Sequence, residues 1–210
     1  DFGLQQHKNQ PLPPLPYTPL ENSREFFADL RRKEHLLHFP YHSYESVCRF
    51  FEKAAKDPRV TQIKLTQYRV ARNSRILKAL ISAAQSGKQV SVFVEVKARF
   101  DEEANLTWGE RLESAGVKVH YSFPGVKVHA KLAIIRRVEK EGPQFYTYLS
   151  TGNFHEDTAK VYSDYGLFTT DPRLCNEALR VFSYLETGHT PELGFEHLLI
   201  GQFNLRTSLE

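Results

Sequence analysis

His129 and Lys131, in the stretch Lys127-Val128-His129-Ala130-Lys131-Leu132, are the side chains whose types and spacing are best suited to chemistry. In an extended chain successive side chains alternate, so these two project from one face while Ala130 turns away. A neutral imidazole keeps a free nitrogen lone pair near pH 7, its reference pKa being about 6.5, and a neighbouring ammonium can hold an anionic oxygen. The pair is therefore equipped to attack an anionic centre. A satisfied histidine beside a loop, with a solvated lysine at a strand end, is the default reading of an isolated H-x-K, because so short a motif often matches by chance. A second cue follows the next strand-like run, which ends in Ser150-Thr151-Gly152-Asn153.

Such a pair needs a frame to hold it. Residues 23–34 and 43–58 read as helices, the second opened by a serine cap with Ser46 near its first turn and stopped before Pro58. Residues 60–70 carry β-branched side chains at strand spacing, and 73–87 form a helix capped by Asn73 or Ser74 and closed on Gly87. Strand 88–100, helix 101–116 and the short strand 117–122 continue the alternation. Strand-like runs at 131–138, 145–151 and 161–170 follow, and then a helix at 172–187. Alternation of this kind predicts an α/β layered sheet.

Composition sets limits on function. The net charge is only +3 with nine histidines, so nothing demands nucleic acid or an anionic membrane, and any anion site must be local. Cys48 and Cys175 lie far apart without metal spacing, each within an apolar helical pattern, which predicts buried thiols in a reducing, cytoplasmic compartment. No apolar run reaches transmembrane length and no signal-peptide pattern opens the chain. The 210 residues contain no methionine, which predicts a piece of a longer protein, and Leu209-Glu210 is consistent with a cloning junction. Five prolines in residues 9–20 predict that 1–22 is a linker or domain edge, leaving 23–208 as the folded unit.

H-x-K followed by STGN resembles the signature layout of the phospholipase D superfamily. The superfamily's acid seven residues past the histidine is replaced here by Arg136, which argues against ordinary phosphodiesterase chemistry. Four stretches in order, IKLTQYRVARNSRI, VEVKARFDEEAN, AGVKVHYSFPGVKVHAKL and STGNFHEDTAKVYSDYGLFT, resemble the first catalytic core domain of the polyphosphate kinases that work through a phosphohistidine. That resemblance implies a phospholipase D-like mixed sheet flanked by helices. It also implies reversible transfer of the terminal phosphate of ATP to inorganic polyphosphate, with ADP as the other product and Mg²⁺ assisting. An N-terminal domain, a helical domain and a second core domain of the same chain are implied as partners outside these residues.

By the same resemblance, His129 matches the phosphorylated histidine, Arg69 and Arg99 the arginines of the phosphate and magnesium site, and Tyr162 a nucleotide-contacting tyrosine. The residue chemistry agrees. Imidazole can attack phosphorus without a separate base, Lys131 can hold a non-bridging oxygen, and the arginines can fork onto phosphates. Magnesium near Arg69 and Arg99 is expected to be held through phosphate and water. Asn153 either donates its amide to phosphate or closes a turn. Arg69 clusters with Arg72 and Arg75 and Tyr162 lies among other tyrosines, so a solvated surface and a packed core stay open for them. For His129 to meet both arginines, its strand must run against theirs. Two other functions stay open: a dimeric phospholipase D-like phosphodiesterase or nuclease, and a noncatalytic polyanion-binding module. The expected setting is a cytoplasmic homo-oligomer with no nucleic acid and no transmembrane segment, with peripheral membrane association left open.

Overall fold

The computed structural model describes residues 12–95, 102–122, 125 and 127–210. Its centre is one seven-stranded sheet. The strands are β1 (His35–Phe39), β2 (Val60–Gln67), β3 (Gln89–Val94), β4 (Lys118–Tyr121), β5 (Lys131–Glu139), β6 (Gly142–Ser150) and β7 (Asp164–Thr169), in the spatial order β1-β7-β6-β5-β2-β3-β4. β2, β3 and β4 run parallel, whereas β5 pairs antiparallel with β2, and β6, β7 and β1 continue antiparallel. The sheet is mixed, with its reversal at the β2–β5 junction.

That reversal follows from the connections. β2 and β3 are joined through α4 (Arg75–Gln85), a crossover long enough to return the chain parallel, and β3 and β4 through α5 (Glu102–Ser114). β5 and β6 meet at a tight turn, where Gly142 has φ +122. α4 starts at Ser74, whose hydroxyl accepts from the Leu77 N–H at 3.2 Å, and is followed by Gly87 at φ +83, a conformation that favours glycine.

Helices α2 (Phe26–Arg32), α3 (Glu45–Lys56) and α4 contribute to the core cluster that includes Ala133 and Ile135 of β5, while α6 (Pro172–Thr187) packs against Leu132 and Ile134. The period of two in β5 thus serves both faces, which explains its nearly unbroken apolar run. Ser43 accepts from the Glu45 N–H at 3.1 Å at the start of α3, while Ser46 is buried with an unpartnered hydroxyl. Cys48 and Cys175 are free and buried, as their patterns predict, and burial pushes the Cys48 thiol up to about 12.

Sequence periodicity missed β1. In His-Leu-Leu-His-Phe the histidine His35 turns inward, 1% exposed, and Leu36 turns outward, 57% exposed, so the apolar alternation is inverted at its start. Tyr17 supplies the inward histidine with a hydroxyl 3.1 Å from Nδ1. Tyr17 precedes α1 (Thr18–Glu21), whose Leu20 is fully buried in the core. The described part of the proline-rich stretch is thus docked onto the domain, and α7 (Leu205–Leu209) closes the chain. Among the described residues no helix is long and apolar enough to cross a membrane.

Candidate active site

One edge of the sheet gathers the chemistry. The register sets Leu65 against Ala133, Lys131 against Ser150, and Ser150 against Gly166. The C-terminal ends of β2 and β6 therefore lie beside the N-terminal ends of β5 and β7. Arg69 follows β2, His129 leads into β5, Asn153 follows β6 and Asp164 opens β7. An edge where strands of opposite direction meet at a change of topology is a common place for a ligand site.

The strand begins at Lys131, so His129 stands on the lead-in and not within the ladder. The two side chains still meet, Lys131 Nζ lying 3.1 Å from His129 Nδ1 and donating to the His129 carbonyl at 2.6 Å. Thr66 of β2 pins this lead-in. Its hydroxyl donates to the Ala130 carbonyl at 2.8 Å and accepts from the Leu132 N–H at 2.9 Å. Tyr68 sets its ring edge-to-face with the imidazole at 4.7 Å, with the charged ends of Lys131, Lys127 and Arg69 5.2, 5.9 and 6.0 Å from its centre. Rings attract cations at such distances.

Burial and this positive surround act on titration. Partial loss of water first, then Lys131, Lys127 and Arg69, hold the His129 pKa below its ordinary value. Lys131 is 7% exposed, and burial brings its ammonium down to about 8, with Asp164 opposing and Arg69 assisting. A depressed histidine favours the neutral, nucleophilic ring.

Arg69 thus acts electrostatically on both His129 and Lys131. Asn153 lies on the loop after β6, where its carbonyl accepts from the Tyr44 hydroxyl at 3.3 Å and from the His155 N–H at 2.8 Å. Its side-chain Oδ1 is buried without a partner. Tyr162 precedes β7 and is 62% exposed, so a packed core role is excluded for it. Arg99 lies outside the described residues.

Residues not singled out by the sequence complete the arrangement. Asp164 accepts from the Thr151 hydroxyl at 2.8 Å, and its charge reaches Lys131. Its nearness is also why residue 152 is glycine, since a Cβ there would come 2.5 Å from an Asp164 oxygen. Glu95, just past β3, accepts from the Val128 N–H at 2.8 Å and the Ser122 hydroxyl at 3.1 Å. The sequence pattern carried no signal for Asp164, whose place depends on the β6–β7 register. Glu95, inside an apolar run, gave only the anomaly of a charge where burial is expected.

The gathered side chains are mostly cationic or neutral. Among the described residues no three His, Cys, Asp or Glu form a group that could hold a metal. Arginine has no lone pair to offer. These residues do not fit a magnesium ion held by the protein itself; they fit phosphate oxygens.

The sequence profile described as polyphosphate kinase C-terminal domain 1 matches residues 25–191. The polyphosphate kinase of Vibrio vulnificus strain YJ016 is 46% identical over 209 residues, covering all of this chain and 30% of the relative. That of Escherichia coli K12 is 44% identical over 203 residues, covering 96% and 29%. The crystal structure of a polyphosphate kinase from Porphyromonas gingivalis superposes with a TM-score of 0.84 at 43% identity, over all of this chain and 35% of that one. Nuc from Salmonella typhimurium, a phospholipase D family member, shares the fold with a TM-score of 0.58 at 16% identity, over 73% of this chain and 93% of that one. The chain thus spans less than a third of the length of the curated relatives it matches.

Proposed function

Because the chain belongs to the polyphosphate kinase C-terminal domain 1 family, we propose that it forms the part of a polyphosphate kinase in which His129 carries the phosphoryl group. The observation that supports this most is the convergence of His129, Lys131, Arg69 and Asp164 at one sheet edge, with the imidazole held below its ordinary pKa. A ring nitrogen attacks the terminal phosphorus of ATP. An N–P bond forms, the bond from that phosphorus to the bridging oxygen breaks, and ADP departs with the electron pair. A terminal oxygen of polyphosphate then attacks the phosphohistidine, breaking the N–P bond and returning the neutral ring. Covalent catalysis divides the transfer into two easier displacements.

Lys131 couples substrate arrival to nucleophile release. While its ammonium donates to Nδ1, the proton of the neutral ring lies on Nε2. A phosphate oxygen that draws the ammonium away frees the Nδ1 lone pair to attack phosphorus, the proton staying on Nε2. Arg69 and Arg99 neutralise neighbouring phosphates, Tyr162 offers an exposed ring to the nucleotide, and Asn153, after β6, donates its amide to phosphate. Magnesium accompanying the nucleotide is held by phosphate oxygens and water. The wider reading is a cytoplasmic homo-oligomer, supported for compartment by the two buried free thiols.

The test uses full-length enzyme and terminally labelled ATP. Acid-labile, alkali-stable label is expected on His129 and is lost in His129→Ala. Label persisting in that variant would sink the assignment, and label on neither protein would leave a polyanion-binding module.

A further inference from the structure

We propose that Glu95 is a positioning residue for His129. Glu95 is 1% exposed and follows the last residue of β3. Its N–H donates to the Gln67 carbonyl at 2.9 Å, extending the β2–β3 pairing beyond the strand ends. From this fixed base the carboxylate spans to the approaching H-x-K segment. One oxygen accepts from the Val128 N–H at 2.8 Å and the other from the Ser122 hydroxyl at 3.1 Å. Val128 is the immediate neighbour of His129.

The same unit also holds the ring that packs against the imidazole. Buried Asn105 donates through Nδ2 to the Glu95 carbonyl at 3.1 Å and to the Tyr68 carbonyl at 2.9 Å. Tyr68 in turn places its ring against His129. The residue before the imidazole and the ring beside it are thus referred to one buried anchor spanning the ends of β2 and β3. Hydrogen bonds to a carboxylate are among the stronger ones, and a backbone N–H left without its acceptor indoors carries a large penalty. In-line phosphoryl transfer depends on placement, and a displacement of about 1 Å can cost roughly 100-fold in rate. Glu95 acts through the chain that presents the histidine.

The inference rests on the function proposed above, and its test keeps the two apart. In full-length enzyme, Glu95→Asp keeps the charge but shortens the reach, whereas Glu95→Gln keeps the reach, accepting from Val128 and turning its amide to the Ser122 oxygen. Glu95→Asp is expected to slow both single-turnover labelling of His129 and kcat by about 10- to 100-fold. KM for ATP should stay within about threefold, because ATP-binding groups remain in place. Amide exchange at Val128 should quicken while Leu132–Ile135 keep their protection. Glu95→Gln is expected to recover most of the lost kcat and the Val128 protection. Equal losses in the two variants, or a rise in KM with kcat unchanged, overturn the inference. So does Glu95→Asp behaving as wild type while wild type labels His129, which leaves the proposed function standing. Wild type without label on His129 removes both.

Discussion

A protonated imidazole has no lone pair, so on the proposed function the rate of phosphoryl transfer to His129 is expected to fall as pH drops through the folded pKa of the ring. Partial burial and the cations of Lys131, Lys127 and Arg69 hold that pKa below 6.5, so the acid limb of the labelling rate is expected below pH 6.5. Lys131 works in the opposite direction. Its ammonium is lost as pH rises through about 8, and with it a charge that neutralises phosphate, so kcat/KM is expected to decline above that pH. Lys131→Arg keeps a positive charge throughout the accessible range, and the alkaline limb should move upward by at least about one pH unit even if the maximum rate is lower. A pH–rate profile of the two proteins decides this. An unchanged alkaline limb would remove Lys131 from its assignment.

At the scale of elements, one carboxylate holds the chain after α6 in place. Glu177, buried within α6, accepts from the N–H groups of Glu196, His197 and Leu198 at 2.8, 3.1 and 2.6 Å, and lies 3.1 Å from His197 Nδ1. Burial alone would raise its pKa; these partners outweigh it and hold the carboxyl below its usual range. A depressed acid contributes stability above its unfolded pKa, and that contribution is lost as pH falls through the folded one, here on the acid side of the usual glutamate range. Glu177→Ala should destabilise the domain by about 1–3 kcal/mol and expose residues 194–203 to limited proteolysis, with the β5 amides still protected. Equal cleavage of wild type and variant would show that the segment is held otherwise.

The sequence made the elements of strong period legible, β2, α4, β5 and α6 among them, because one buried face imposes its spacing on each. β1 escaped because His35 found a tyrosine hydroxyl indoors and could occupy a core position. The site was legible where a residue type carries chemistry at fixed spacing, as His129 and Lys131 do. Thr66, Asp164 and Glu95 were not, since their roles depend on register and crossings that bring distant strand ends together.

At the scale of the molecule, the described edge gathers one imidazole, His129, with the cations of Lys131, Lys127 and Arg69, and the curated relatives are more than three times as long as this chain. Well-placed groups on both sides of a transferring phosphate contribute up to about 7–11 kcal/mol, so half an enclosure should lose orders of magnitude in rate. These 210 residues alone are expected to bind polyphosphate weakly and to make none detectably from Mg-ATP, followed by gel and ADP release beside the intact enzyme. Turnover within about tenfold, a barrier difference of only about 1.4 kcal/mol, would show that the chemistry is complete without further domains, and self-pairing of the fragment is the route by which it could arise.

The antiparallel pairing of β1 with β7 joins His35 to Phe168 and Phe39 to Asp164, the first and last strands of the sheet in sequence. Closing so long a loop carries an entropy cost that grows with its length, and pairings so distant in sequence form late. During synthesis β1 leaves the ribosome long before its partner exists, with Leu37 and Phe39, both destined for the core, still uncovered. The parallel β2–β3 unit can assemble while the first strand waits. Birth order and docking order are therefore reversed, and a stalled or shortened nascent chain presents to chaperones and proteases an apolar strand whose neighbour in the described sheet, β7, has yet to be made.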